Sequence, residues 1–200
     1  MKKDILACII LNLSFLMVKA QVKKTNNSNA QFTSILQLGI LEGDADKSFG
    51  QLQLVNGIRQ NAWFYGLGVG IDYYASKRSV PLFIDVKRDF KKGNKTPFVF
   101  ADAGYNFSWL RDKDKNMSWS TDYQASGGLY YEAGVGYKFL LKNKITVGFS
   151  AGYSFKQQHE AYGKNIMIEP PIFPPPAYKP PVDYYDYKFR RISIKFNCSF

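Results

Sequence analysis

The sequence predicts an all-β fold, an eight-stranded antiparallel transmembrane β-barrel, from three observations. Apolar and polar residues alternate with period two in eight segments, each about ten residues or longer. The face opposite the apolar one is crowded with glycine (Gly66, Gly68, Gly70, Gly104, Gly134, Gly136, Gly148, Gly152) rather than with Lys, Glu and Thr. Glycine weakens a strand, but it suits a narrow lumen into which eight strands point their side chains. The apolar face carries aromatics toward its segment ends: Trp63, Tyr65, Tyr73, Trp109, Tyr137, Tyr153, Phe196 and Phe200. Such placement suits the interfacial girdles of a membrane barrel better than a soluble sandwich.

The elements follow in chain order. Met1-Lys2-Lys3, the apolar run Ile5 to Val18, and Val18-Lys19-Ala20 read as a signal peptide over 1–20, with cleavage between Ala20 and Gln21. The run is shorter than the ~20 residues a spanning helix needs. A short N-terminal segment, 21–30, precedes the barrel at 31–200. Residues 31–42 set Leu36, Leu38 and Ile40 against Gln37 and Gly39, and residues 49–59 set Leu52, Leu54 and Ile58 against Gln51, Gln53 and Gly57. Asn56-Gly57 is a hairpin signal in isolation. A turn there leaves too short a strand, so the turn is expected at Arg59-Gln60-Asn61.

The alternation is clearest over residues 63–74, where Trp63, Tyr65, Leu67, Val69, Ile71 and Tyr73 oppose Phe64, three glycines and Asp72. Residues 80–90, 97–109, 128–141 and 144–156 repeat it, and the chain ends with Ile192, Ile194, Phe196, Cys198 and Phe200 against Arg191, Ser193, Lys195 and Asn197. Ten tilted residues at ~3.3 Å each cover roughly 25 Å, the height of an outer-membrane apolar band. Connections at one end are short. At the other, 110–127 and 157–184 are long, the asymmetry expected of periplasmic turns and extracellular loops.

The stretch Gly50 to Arg59, followed by Tyr65-Gly66-Leu67-Gly68-Val69-Gly70-Ile71-Asp72-Tyr73-Tyr74, resembles the outer-membrane β-barrel domain family of small OmpA-like barrels of Gram-negative bacteria. Pro81-Leu82-Phe83-Ile84-Asp85 and Phe98 to Gly104 fit the same pattern. The resemblance covers nearly all of the mature chain and implies a barrel, not an activity. It implies residence in the cell outer membrane, among outer-membrane lipid and lipopolysaccharide. Phe196 and the terminal Phe200 resemble the signal that barrel-assembly machinery recognises during biogenesis.

Composition bounds the chemistry. Removing Lys2, Lys3, Lys19 and Asp4 with the signal takes the net charge from +11 to +9. The basic residues cluster in candidate turns such as Lys91-Lys92-Gly93-Asn94-Lys95, so no nucleic-acid partner is expected. One His and one mature Cys make no conventional metal site, and no cofactor is expected. Six charges fall on the lumen face: Asp85, Lys87, Asp102, Glu132, Arg191 and Lys195. They are expected to form a salt-bridged network that fills the lumen, an ion path being the alternative.

His159 reads as a solvated loop histidine, since neighbouring Ser154 faces the lumen; Glu160 is its other neighbour. Within 157–184, the proline-rich run Glu169 to Pro181 favours an extended, pre-ordered segment. Phe173, Tyr178, Tyr184 and Tyr185 make it a candidate surface binding loop for a protein or glycan ligand. The expected function is non-enzymatic, a structural or surface-interaction role through the extracellular loops. A lipid-modifying barrel enzyme and a small-solute pore are the alternatives.

Overall fold

In the computed structural model, residues 30–43, 48–74, 78–91, 93–109, 120–141, 145–164 and 182–200 are described. The expected signal peptide lies outside the described residues, as do Phe173 and Tyr178. Eight strands form: β1 (Ala30–Gly43), β2 (Phe49–Gln60), β3 (Trp63–Tyr73), β4 (Arg78–Asp89), β5 (Lys95–Trp109), β6 (Ser120–Leu140), β7 (Thr146–Lys164) and β8 (Val182–Ser199). Each pairs antiparallel with its neighbours in sequence order, and β1 closes on β8 from Ile35↔Ser199 to Gly43↔Arg191. Backbone bonds between Ser34 and Phe200, at 3.0 Å in both directions, extend that seam to the terminal residue. Closure leaves no sheet edge within the barrel body, which is what lets strands lie in a medium without water.

The period-two pattern sorts the side chains as the sequence predicts. Leu38, Ile58, Tyr65, Leu67, Leu82, Ile84, Leu129, Val135, Phe149 and Ile192 are exposed on the outside, forming an apolar belt. Exposed aromatics lie toward both ends of it: Trp63, Phe90, Tyr137 and Phe200 at the short-turn end, Tyr73, Phe107, Trp109 and Tyr153 at the other. Arg88 lies 5.1 Å over the Trp63 ring and Arg78 lies 5.6 Å over Tyr73, putting a cation at each girdle.

The glycine-rich face is not empty. Ile35, Val55, Phe64, Phe83 and Tyr130 form a buried cluster inside the barrel. A methyl group on Gly68 would lie 2.4 Å from the Phe83 ring, so the glycine makes room for that ring. Gly57 is explained the same way: a Cβ there would sit 2.1 Å from the Tyr65 carbonyl and 2.8 Å from the Phe64 ring. Asn56-Gly57 is therefore a packing site within β2, and Asn56 accepts a 2.7 Å hydrogen bond from Ser34. The turn falls at Asn61-Ala62, just past the position predicted, with Asn61 in the left-handed region at φ 56°. Arg59 and Gln60 belong to β2.

The long connections are shorter than the sequence predicts. Residues 120–127 belong to β6, 157–164 to β7 and 182–184 to β8. Strands β6, β7 and β8 reach 21, 19 and 18 residues, against 11 and 12 for β3 and β4. The barrel thus carries a three-strand wall on one side of its outer end. Gln157, Gln158, His159 and Glu160 put polar groups on both faces there, so no apolar alternation announced the strand.

Candidate functional site

Inside the barrel, Asp85, Lys87, Asp102, Glu132 and Lys195 are all buried, and Arg191 is nearly so. Lys195 of β8 reaches across the lumen. Its Nζ lies 2.6 Å from Glu132 Oε1 on β6, 3.8 Å from Asp102 Oδ2 on β5 and 3.3 Å from Gln53 Oε1 on β2. It also sits 4.5 Å from the Phe100 ring centroid. Ser193 donates to Glu132 Oε1 at 2.6 Å, and the Tyr130 hydroxyl lies 3.0 Å from Glu132 Oε2 while accepting from Gln53 at 3.3 Å. Glu132 is therefore held by three donors, Lys195 and Ser193 of β8 and Tyr130 of β6, which is how a buried carboxylate is made tolerable.

Two further pairs flank this centre. Lys87 Nζ lies 2.8 Å from Asp85 Oδ2, with its ammonium 5.3 Å from Phe100 and 5.9 Å from Phe98. Lys156 pairs with Asp72 and lies 5.0 Å from the Tyr130 ring. Toward the short-turn end, Asp89 holds Arg59 at 2.6 Å and Lys138 at 2.5 Å. A cavity of about 30 Å³ lies there, lined in part by Arg59, Lys87, Asp89 and Lys138.

Arg191 sits nearer the outer mouth, 4.6 Å over Phe49 and 5.5 Å over Tyr74. From there a line of rings climbs the inner face of the wall. Phe49 and Tyr74 are 5.0 Å apart, Tyr74 and Phe189 5.3 Å, Phe189 and Tyr187 6.2 Å, and Tyr187 and Tyr185 6.4 Å. Tyr184 and Tyr185, expected in a loop, stand on β8. Tyr184 points outward and is the more exposed, at 79% against 48% for Tyr185. Phe196 and Phe200 are exposed on the outside of the seam, with Phe196 5.4 Å from Phe149.

His159 is not a loop residue. It stands on the outward face of β7, and its Nδ1 lies 2.5 Å from Asp186 Oδ1 on β8. Ser154 and Glu160, the neighbours the sequence offered it, are both buried on the inward face. Sequence reasoning missed Asp72, Lys156, Gln53, Tyr130 and Asp186. Inward phase could have marked Asp72, Gln53 and Lys156; Asp186 depends on register across two strands. Among the described residues no cluster of His, Cys, Asp and Glu could hold a metal ion.

No family model matches the chain, and no curated protein matches it. Two solved structures are similar to it in shape. The crystal structure of the outer membrane protein OprG from Pseudomonas aeruginosa superposes with a TM-score of 0.58 at 11% identity, covering 87% of this chain and 98% of that one. The crystal structure of the outer membrane enzyme PagL gives 0.43 at 14% identity, covering 83% and 98%. The chain therefore has the fold of an outer-membrane barrel, eight antiparallel strands closed on themselves.

Proposed function

We propose that the protein is an exported outer-membrane barrel, closed to solute flow, which works through the surface of its β6–β8 wall. The observation that carries this is the inversion of the barrel. Its outside is a belt of exposed Leu, Ile and Val between aromatic girdles, and its inside holds Asp72, Asp85, Asp102 and Glu132 against Lys87, Lys156, Lys195 and Arg191. Such an exterior is stable in lipid and not in water. The packed rings and cross-lumen ion pairs support a rigid plug over a pore. Phe196 and Phe200 at the seam suit recognition by assembly machinery.

The wall's inner face suits a glycan. Tyr185, Tyr187 and Phe189 present a run of ring faces above the mouth, already stacked on one another and anchored on Tyr74, so little side-chain freedom is lost on binding. The polysaccharide part of lipopolysaccharide is the nearest source. Titration of detergent-solubilised protein with lipid-free polysaccharide from the same cells tests the reading. Tyr185→Ala/Tyr187→Ala should weaken binding at least about tenfold, equivalent to ~1.4 kcal/mol. Equal binding by wild type and variant contradicts it.

A further inference from the structure

The outward face of the wall carries a different constellation. In the β6–β7 register Ser126 stands opposite His159, and in the β7–β8 register His159 stands opposite Asp186. All three side chains are exposed. Ser126 reaches this face because the β6–β7 register shifts between Gly127 and Tyr130. Below the shift Leu129 and Tyr131 point outward; above it the outward phase passes to Ser126 and Gln124. A β-bulge re-aims a side chain in this way. Gly127 must be glycine there, since a Cβ would lie 1.8 Å from the Asn106 carbonyl oxygen.

We infer that Ser126, His159 and Asp186 form a serine-hydrolase site for an acyl ester of an anionic lipid in the outer leaflet. The roles follow from the order across the strands. Asp186 engages Nδ1 at 2.5 Å, fixing the imidazole and leaving Nε2 to serve the serine on the other side. Directly opposite residues on one sheet face have Cβ atoms about 4.5–5.5 Å apart, within reach of such a proton transfer.

The surroundings name the substrate. Nearer the belt, Leu129 and Tyr131 of β6 and Tyr153 of β7 are exposed on the same face, an apolar bed for an acyl chain. On β8 the outward residues change from Ile192 to exposed Arg190 and Lys188, just before Asp186. Two residues of strand span about 7 Å, so Lys188 stands within headgroup reach of the site. Ser126 Oγ attacks the ester carbonyl carbon while His159 Nε2 takes its proton. The C–O bond breaks and the alcohol leaves with that proton. Water then attacks the acyl-serine, its proton returning through His159 to Oγ as the fatty acid departs.

The full chain in mixed micelles with phosphatidylglycerol, a fluorophosphonate label and p-nitrophenyl laurate provides the test. Wild type should release fatty acid and take up the label at Ser126, as read by peptide mapping. Ser126→Ala should abolish both, and His159→Ala should slow hydrolysis at least about 100-fold with heat-modifiable gel mobility unchanged. Lys188→Gln/Arg190→Gln should slow phosphatidylglycerol hydrolysis and spare p-nitrophenyl laurate. No hydrolysis by wild type, label at another residue, or full activity in Ser126→Ala overturns the site. Equal rates on phosphatidylcholine and phosphatidylglycerol overturn the anionic substrate.

Discussion

In the barrel body, shared by all eight strands, charge points inward and is buried, and the outside is apolar. In the wall, made by the outer parts of β6, β7 and β8, His159, Asp186, Lys188 and Arg190 stand outward in the open, while the inner face holds the buried Glu160 of β7 and the aromatic rings of β8. The contrast separates two uses of the same ion-pair chemistry. Lys195 and Glu132 are wholly buried, so each strongly depends on the other. His159 and Asp186 are 47% and 69% exposed, so water screens them and their pairing contributes little to stability. A wholly buried pair sits in the body; a solvent-exposed pair sits in the wall.

The largest expected effect belongs to the body. Lys195→Ala leaves Glu132 and Asp102 buried without their shared cation and should cost about 3–5 kcal/mol in urea unfolding from lipid vesicles. Replacing both ends, Lys195→Met with Glu132→Gln, should recover part of that loss, and a double-mutant cycle measures the coupling. A cost below about 1 kcal/mol for Lys195→Ala would remove the pair from the stabilising core.

Packing of the lumen comes next. Gly68→Ala drives a methyl against the Phe83 ring and should cost about 1–3 kcal/mol. Gly50→Ala, where nothing lies within 4 Å of the added carbon, should be neutral on the same assay. Equal effects at the two sites would mean that the rings do not fill the lumen. The smallest effect is expected in the wall, where His159→Ala should change unfolding stability by no more than about 0.5 kcal/mol. A larger loss would assign the His159–Asp186 pair to the fold rather than to the surface.

The body was legible in the sequence because a period-two strand fixes which side chains share a face. Trp63 to Tyr73 sorts without exception, and the phases of Asp85, Asp102, Glu132 and Lys195 follow from their apolar neighbours. Their partners were less visible. Lys195 meets Gln53 across 142 residues, a contact set by barrel closure rather than local pattern. Asn56-Gly57 read locally as a turn, and only the Phe64 ring explains why it is not.

The wall was hidden for two reasons. Its strands carry polar residues on both faces, so 157–164 and 182–184 looked like loop. The bulge at Gly127 also reverses the phase of β6, which no alternation count across residues 120–131 could anticipate. Ser126 therefore carries no local signal, whereas Ser154, nearer in sequence to His159, faces the lumen as its phase predicts.

Side chains and their ion pairs fill the closed lumen. Planar-bilayer recording from refolded, full-length protein with verified heat-modifiable mobility tests it most directly. Wild type should give no stable current steps. Reproducible single-channel steps from wild type, absent in a mock refolding, would contradict it.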